Sequence, residues 1–469
     1  MDKKDVKNMK TTNPLLLMII VVCVCAALTY IIPAGQYEIS FNEAVGKEVI
    51  DPDSFTYIER TPATPFQLLK SMTLGMQEGA YVICFLLIIG GMFGILNGTG
   101  ALNVGIANIL KKIKGREFLM IPILMIFFGC GAAFCGNFEE FLVFVPLVLA
   151  CCITVGYDSM TAIGIIFMAA AAGYGGGITN PFTVGTAQEI AGLPRFSGMN
   201  LRIALFIVLE LASIIYVLLY TKLVKKNKKL SISYAYDLEH NQDKKIKLDN
   251  IPEFTMRQLF VVIVFSIGII YSVWGIIKMD YYVDELAGIF LAVGIISGII
   301  GGLKPSDICD KFINGCKDML LPGIMIGLAN SAVLLLKDAN VMDTILHSLD
   351  ELLTSIPNTL MACGMFVFHL VFNVFVPSGS AQANITMPLM TILADSSDIT
   401  RQTAVLAYQL GDSFTNILSP TGGEILAALA ICRVPFGKWL KFLLPLFIIW
   451  CVIALVFLVF ATKTGYGPL

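Results

Sequence analysis

Fourteen apolar runs punctuate this chain, and their lengths constrain it more than any other feature. They cover 15–33, 81–97, 119–135, 141–155, 160–178, 201–221, 259–278, 285–303, 320–336, 358–376, 386–394, 402–410, 424–431 and 440–461. The longer runs match the ~30 Å hydrocarbon core of a bilayer at about 1.5 Å per helical residue. Only 14% of the 469 residues are charged and 57% are hydrophobic, whereas a soluble domain carries about a quarter charged residues. The expected fold is therefore all-α, a polytopic membrane protein of roughly ten segments. An ordinary cytosolic enzyme, a disordered chain and a secreted disulfide scaffold are excluded. The net charge of −2 gives no basic excess for nucleic acid. Of the twelve cysteines, most lie inside apolar runs and none form paired CxxC motifs, so they read as small hydrophobes. Three histidines, at 240, 347 and 369, are too few for a His-based metal site.

Charge sets the expected orientation. Lys3, Lys4, Lys7 and Lys10 precede the first run, which lacks a small-residue cleavage site and reads as a retained helix with a cytoplasmic N-terminus. Loop 34–64, with Glu38, Glu43, Glu48, Asp51, Asp53 and Glu59, is then outside. The next loop, with Lys111, Lys112, Lys114 and Arg116, is inside. The insert 222–258 is rich in lysine and reads as a solvated cytoplasmic linker between 1–221 and 259–469.

These two parts echo each other at a shift near 240 residues. Pro65 and Gly75 match Pro305 and Gly315, and Pro146 matches Pro388. Asn180-Pro181 lies near Ser419-Pro420, and Leu193-Pro194-Arg195-Phe196 resembles Arg433-Val434-Pro435-Phe436. Loop 111–116 is basic while its counterpart 337–355 carries Asp338, Asp343, Asp350 and Glu351, so the copies are expected to be inverted. The unpaired crossing 259–278 would flip the second. Inverted-topology repeats are a device of secondary transporters, with the solute site where they meet. The paired segments 65–78 and 305–319 are expected to be amphipathic helices.

An unsatisfied backbone group in lipid costs several kcal/mol, so non-helical backbone at membrane depth marks a protein-lined or wet site. Four stretches qualify: Cys135 to Glu140, Gly175 to Thr186, Pro377 to Asn384, and Gly411 to Asn416 with Ser419 to Gly423. The first and third read as tips of re-entrant hairpins, the second and fourth as breaks in discontinuous helices. Half-helix N-termini suit a carboxylate, and free carbonyls with hydroxyl and amide side chains suit a small cation. The candidate solute ligands are Asn137, Glu139, Glu140, Thr179, Asn180, Thr183, Ser378, Gly379, Ser380, Asp412, Ser413, Asn416 and Thr421. Na⁺ is expected at Asn180, Asn416 and Asp412, with H⁺ as the alternative coupling ion and no other cofactor. His369 and Asn373, at i, i+4, are expected to hydrogen-bond between helices.

Four segments carry a family resemblance: GYDSMTAIGIIFMAAAAGYGGGITNPFTVGTAQEIAGLPRFSG (156–198), VPSGSAQANITMP (376–388), RQTAVLAYQLGDSFTNILSPTGG (401–423) and VPFGKWLKFLLPLF (434–447). They resemble the YfcC-like family of the C4-dicarboxylate anaerobic carrier group, within the ion transporter superfamily, over nearly the whole chain. The resemblance implies a multi-pass inner-membrane secondary transporter, homodimeric, with a transport part moving against a scaffold in an elevator-like manner. The family pattern at the first tip is a small residue, Glu-Glu, then Thr-Ile. Here Asn137-Phe138-Glu139-Glu140-Phe141 keeps the acids and departs at Phe138 and Phe141. Family members span C4-dicarboxylate uptake and basic amino-acid exchange. Acids without Arg or Lys in the four stretches favour an amino acid; a C4-dicarboxylate carrier or a channel are the alternatives. No GxSxG, HExxH or His-rich cluster points to an enzyme.

Overall fold

The structure is a computed structural model describing residues 14–42, 47–50, 54–112, 115–241, 245, 255–279, 281, 283–354, 356–357, 360–397 and 399–467. The N-terminal lysines, the acids at 43, 51 and 53, Lys114, Lys244, Lys247 and Asp398 lie outside the described residues. Among the described residues, seven helices are long and apolar enough to cross a membrane.

The chain opens with α1 (Pro14–Ile31) and four short strands, β1 (Gly35–Gln36), β2 (Ile39–Asn42), β3 (Lys47–Ile50) and β4 (Thr56–Tyr57). The strands pair antiparallel, β1 with β4 and β2 with β3. Then come α2 (Pro65–Glu78), α3 (Ala80–Thr99), α4 (Ala101–Lys112), α5 (Met120–Cys135), a 3₁₀ stretch (Glu139–Phe144) and α6 (Val145–Val155). Next, α7 (Ser159–Ile163) and α8 (Ala169–Gly176) are joined by a π turn (Gly164–Met168). A second π turn (Pro181–Gly185) leads into α9 (Thr186–Ile190), and α10 (Met199–Lys226) follows. The linker holds α11 (Tyr234–His240). After it come α12 (Met256–Met279), α13 (Val283–Ile300), α14 (Pro305–Asp318), α15 (Leu320–Asp338) and α16 (Met342–Thr354). The chain ends with α17 (Met361–Phe372), α18 (Gly379–Ser396), α19 (Arg401–Asn416), α20 (Gly423–Ile431) and α21 (Phe436–Thr464).

Two groups of helices result. In one, α2 packs on α15, α14 on α3, α1 on α15 and α13 on α3. Gly75 of α2 and Gly315 of α14 sit at these crossings. A Cβ on Gly75 would run into the backbone oxygen of Gly327, and one on Gly315 into that of Gly90. Only glycine lets the helices approach so closely. In the other group, α5 packs on α8, α17 on α19, and α8 and α19 cross each other. Segment 159–190 is buried throughout its most apolar window. In α19, Gln402 to Thr415 are all buried, which gives a helix with polar side chains and no lipid-facing side. Such a helix is stable only where its polar groups find partners inside the protein.

Four expectations change at this level. Of the stretch Pro377 to Asn384, only Pro377 and Ser378 are non-helical, because α18 runs from Gly379. Gly411 to Asn416 is not the break: it is the last part of α19, and the chain leaves the helix only at Ile417–Gly422. Residue Thr400 caps α19 by accepting from Thr403 N, and nothing in 401–416 interrupts its hydrogen bonds. Segment 337–355 is largely helix α16 rather than loop, and α4 runs up to Lys112. The linker is not wholly solvated. Ser231, Ser233, Asp237 and Asn241 are buried. Ser159 N donates to Asp237 Oδ2 (3.1 Å), Ser233 Oγ to the same oxygen (2.7 Å), and Asn241 Nδ2 to Asp237 Oδ1 (2.9 Å) and Cys432 O (2.9 Å). Asp158, which caps α7 through Thr161 N, accepts from Tyr220 Oη (2.5 Å) and Ser231 Oγ (2.6 Å). Within the linker, the polar residues of 231–241 thus form a docked segment.

Candidate functional site

The first tip and the first break meet. Gly136 closes α5 with φ 75°, and a Cβ there would lie 2.5 Å from Asn180 Oδ1. Asn180 ends the gap after α8: its Oδ1 accepts from Phe182 N (2.9 Å) and Thr183 N (3.2 Å). Those two donors fix the amide's orientation, so its Nδ2 is left facing outward from the cap without a partner. Thr179 ties the same gap to α5, its Oγ1 donating to Phe134 O (2.9 Å) and its N to Ala133 O (3.1 Å).

At the second tip, Gly379 begins α18. A Cβ there would lie 2.5 Å from Thr183 Cγ2, 3.3 Å from Asp412 Oδ2 and 3.5 Å from Tyr408 Oη. Thus the start of α18, the interruption after α8 and the buried face of α19 converge on one point. Asp412 Oδ1 accepts from Asn373 Nδ2 (2.8 Å), which also reaches Gln382 Oε1 (2.8 Å). Gln382 Nε2 lies 3.1 Å from His369 Nδ1 and donates to His369 O (3.3 Å). His369 and Asn373 therefore do bridge helices, as their spacing suggests, joining α17 to α18 and α19. Tyr408 Oη donates to Gly379 O (2.6 Å). Ser413 Oγ donates to Ala171 O (2.6 Å) and Gln409 Nε2 to Tyr174 O, stitching α19 to α8. Thr421 Oγ1 donates to Val374 O (2.7 Å).

Ten buried side-chain atoms lack a hydrogen-bond partner among the described residues, and six belong to this one cluster: Asn180 Nδ2, Thr183 Oγ1, His369 Nε2, Asn373 Oδ1, Gln409 Oε1 and Asp412 Oδ2. More than 90% of buried polar groups are normally paired. Unpaired donors and acceptors gathered in one place mark a site that completes its hydrogen bonds with something else.

The acids form the flank. Glu140 is buried and accepts from Phe138 N (3.0 Å), with Asn137 beside it. Glu424, at the start of α20, hydrogen-bonds Glu139 and lies within electrostatic reach of Glu140 and Asp412. Asn416 sits next to the Asp412 carboxyl. Ser378 and Ser380 are exposed at the second tip, and the Ser378 side chain makes no capping bond. Of the candidates read from sequence, Thr183, Gly379, Asp412 and Asn180 come together most closely. Thr179, Ser413 and Thr421 use their hydroxyls to lock helices.

Sequence reasoning missed Tyr174, Gln382, Tyr408, Gln409, Glu424 and Arg202. A signal existed for Gln409, which shares the face of Asp412 at i, i+3 inside an apolar run. Arg202 is fully buried on α10, and its five donors are all used: Nε on Gly177 O (3.0 Å), Nη1 on Ser197 O (2.7 Å) and Tyr466 Oη (3.3 Å), Nη2 on Ile178 O (3.2 Å) and Phe196 O (3.2 Å). It caps the negative end of α8 and has no hydrogen left for a solute. A separate cavity of about 140 Å³ lies at the docked linker, lined among others by Asp158, Asp237, Lys228 and Lys245, away from this cluster.

Membrane-length apolar helices wrapped around a buried, incompletely paired polar centre define a multi-pass membrane transport protein. The chain belongs to the DcuC family, described as C4-dicarboxylate anaerobic carrier, which it matches over residues 12–463. It is 32% identical over 478 residues to the Escherichia coli protein named "Putative basic amino acid antiporter YfcC", covering 94% of each chain. It is also 32% identical over 413 residues to a Haemophilus influenzae protein whose name assigns no function, covering 87% of this chain and 80% of that one. Among solved structures it is similar to the YdaH transporter of Alcanivorax borkumensis (TM-score 0.41, 16% identity, 97% of this chain and 100% of that chain). It is likewise similar to MtrF of Neisseria gonorrhoeae (TM-score 0.39, 14% identity, 99% of each). The protein is a transporter and not an enzyme.

Proposed function

We propose that this protein is a secondary active transporter of a small carboxylate solute, favouring a basic amino acid, that works by elevator-like alternating access in a bacterial inner membrane. The observation that carries the substrate reading is the composition of the polar cluster. Its free donors, Asn180 Nδ2 and the Thr183 hydroxyl, sit beside the start of a helix and suit a carboxylate. Its free acceptors, Asp412 Oδ2, Asn373 Oδ1 and Gln409 Oε1, suit an ammonium group or a coupling Na⁺. Asp412, Glu139, Glu140 and Glu424 gather there, and the nearby cation Arg202 is saturated. A dianion would meet acids; a molecule with net positive charge would be drawn in. Asn416 and Asp412 are the residues that would hold Na⁺. The amide oxygen of Asn180 is already occupied as a cap, so that residue serves the anionic end.

The mechanism rests on two inverted repeats, α2–α10 and α14–α21, and three observations support them. The helices follow in the same order. The α2–α15 and α14–α3 contacts exchange equivalent elements. Two hydrogen bonds recur at a shift of about 240: Thr179 to Phe134 O with Thr421 to Val374 O, and Arg202 to Gly177 O with Trp439 Nε1 to Ile417 O. The group of α1–α3 and α12–α15 would be the scaffold and the group around α8 and α19 the moving part, working as a homodimer.

Thermal stability of the purified protein, measured with L-arginine, L-ornithine, succinate and fumarate, with and without Na⁺, tests the substrate reading. Stabilisation by the basic amino acids is expected. Stabilisation by succinate and fumarate alone would favour the C4-dicarboxylate reading that the family description suggests.

A further inference from the structure

Glu210 lies near the middle of α10 and is 4% exposed. Its neighbours Ile207, Val208 and Leu211 are exposed apolar residues, so the helix turns them to lipid and the acid inward. Among the described residues, neither carboxyl oxygen has a hydrogen-bond partner. A carboxylate in that position is costly in a membrane, and among the described residues no donor or counter-charge offsets it. From α5, the Cys130 thiol faces it. From α8, Tyr174 faces Asp412, Glu139 and Glu140 instead, and the rest of that helix is Ala and Gly. The π turn Gly164–Met168 and α7, also packed on α10, carry no ionisable side chain. On α21, Trp450 donates to Ser213 of α10 (3.2 Å). Arg202 of α10 itself has no hydrogen left to give.

The surroundings join Glu210 to the moving parts. A Cβ on Gly129 of α5 would lie 2.9 Å from Glu210 Oε2, and a Cβ on Gly173 of α8 would strike Gly129 O. The acid therefore sits where α5, α8 and α10 touch. Phe206 and Leu209, on the same helix, press on Gly176 and Gly175, just before the first break. Phe206 packs on Gly129 as well as on Gly176, so one side chain links the walls around Glu210 to that break.

We propose that Glu210 is a proton-binding site of the transport cycle, enclosed here as the neutral acid and separate from the solute cluster. When the α5–α8–α10 junction opens to water, the carboxyl O–H bond breaks, the proton passes to water and the carboxylate remains. Closing the junction again requires proton uptake from the side then open, one proton per closure. This inference rests on the chain being a transporter and is independent of which solute it carries.

Infrared difference spectroscopy of the purified full-length protein between acid and alkaline pH tests it without any solute. The parent is expected to show the C=O stretch of a carboxylic acid free of hydrogen bonds, and Glu210→Gln to lose it. In proteoliposomes with L-arginine as probe, uptake driven by a pH gradient should fall in Glu210→Gln to the level of protein-free liposomes, and residual counterflow should stop varying with pH. Absence of the band in the parent, or its persistence in the variant, overturns the proposal. So does gradient-driven uptake by Glu210→Gln with the parent's pH profile. Should Glu210→Gln not fold, Gly129→Ser places a hydroxyl against the carboxyl and should move the band to a hydrogen-bonded frequency; an unmoved band overturns the proposal. If the parent does not transport L-arginine, the substrate reading fails while the spectra still decide on Glu210.

Discussion

Asp412 shows how one residue combines two tasks. Its Oδ1 holds Asn373, while its Oδ2 faces the point where Gly379 and Thr183 meet. Asp412→Asn keeps an oxygen for Asn373 and removes the charge. We expect a protein that folds and binds its solute at least ~tenfold more weakly, about 1.4 kcal/mol, checked by uptake in proteoliposomes; unchanged uptake and ion dependence would remove Asp412 from the site. Arg202 is the opposite case, with every donor serving backbone or Tyr466. Arg202→Met would leave the buried carbonyls of Gly177 and Ile178 bare, at about 1–3 kcal/mol each. A marked drop in thermal stability is therefore expected, and Arg202→Lys should recover only part of it because an ammonium cannot reproduce the planar fork.

Among elements, the two breaks are held by matching hydroxyls. Thr179→Val deletes the hydrogen bond to Phe134 O on α5, and Thr421→Val deletes the one to Val374 O after α17 together with the one shared with Ser419 Oγ, on the order of 1 kcal/mol per bond. Losses of thermal stability are expected from both, and a loss from one alone would argue against equivalent roles. The docked linker gives a pH signature. Burial pushes the Asp237 carboxyl above its ordinary 3.8, partly opposed by hydrogen bonds from Ser159, Ser233 and Asn241. The folded state therefore takes up this proton before the unfolded state does. Stability owed to Asp237 rises as pH falls through the raised value, levels off below 3.8, and is lost as pH rises again. The difference in melting temperature between parent and Asp237→Asn, followed from pH 7 downward (about the range where carboxyls titrate), should move in that sense. A difference independent of pH would rule out titration of this group.

For the whole molecule, the inverted reading makes a topological prediction. Arg116, between α4 and α5, and Asp338, the last residue of α15, are both exposed and lie in the segments 111–116 and 337–355 that the inverted reading pairs. Cysteines introduced at 116 and 338, with the exposed Cys23, Cys84 and Cys309 replaced, should react with a membrane-impermeant reagent from opposite sides. Labelling of both from one side would dismiss the inverted arrangement.

Hydrophobic length, read along the chain, imposes helices because lipid leaves backbone groups no other partner. Glycine, proline and polar residues inside apolar runs mark the helix interruptions at 136–138, 177–180 and 373–378, since those residues are costly in a helix interior. The sequence places the second break several residues early, because the polar run from Gly411 to Asn416 is helical: Ser413 bonds to α8, Thr415 to α17 and Asp412 Oδ1 to Asn373 at the end of α17, which no local signal reveals. Gln382, Tyr408 and Glu424 belong to the cluster, and Arg202 to the cap on α8, for the same kind of reason. Hydropathy and backbone propensity are local quantities, legible residue by residue. Which polar atoms remain unpaired after folding depends on contacts across more than two hundred residues, such as Ser413 on Ala171. Only the packed arrangement of the helices determines that.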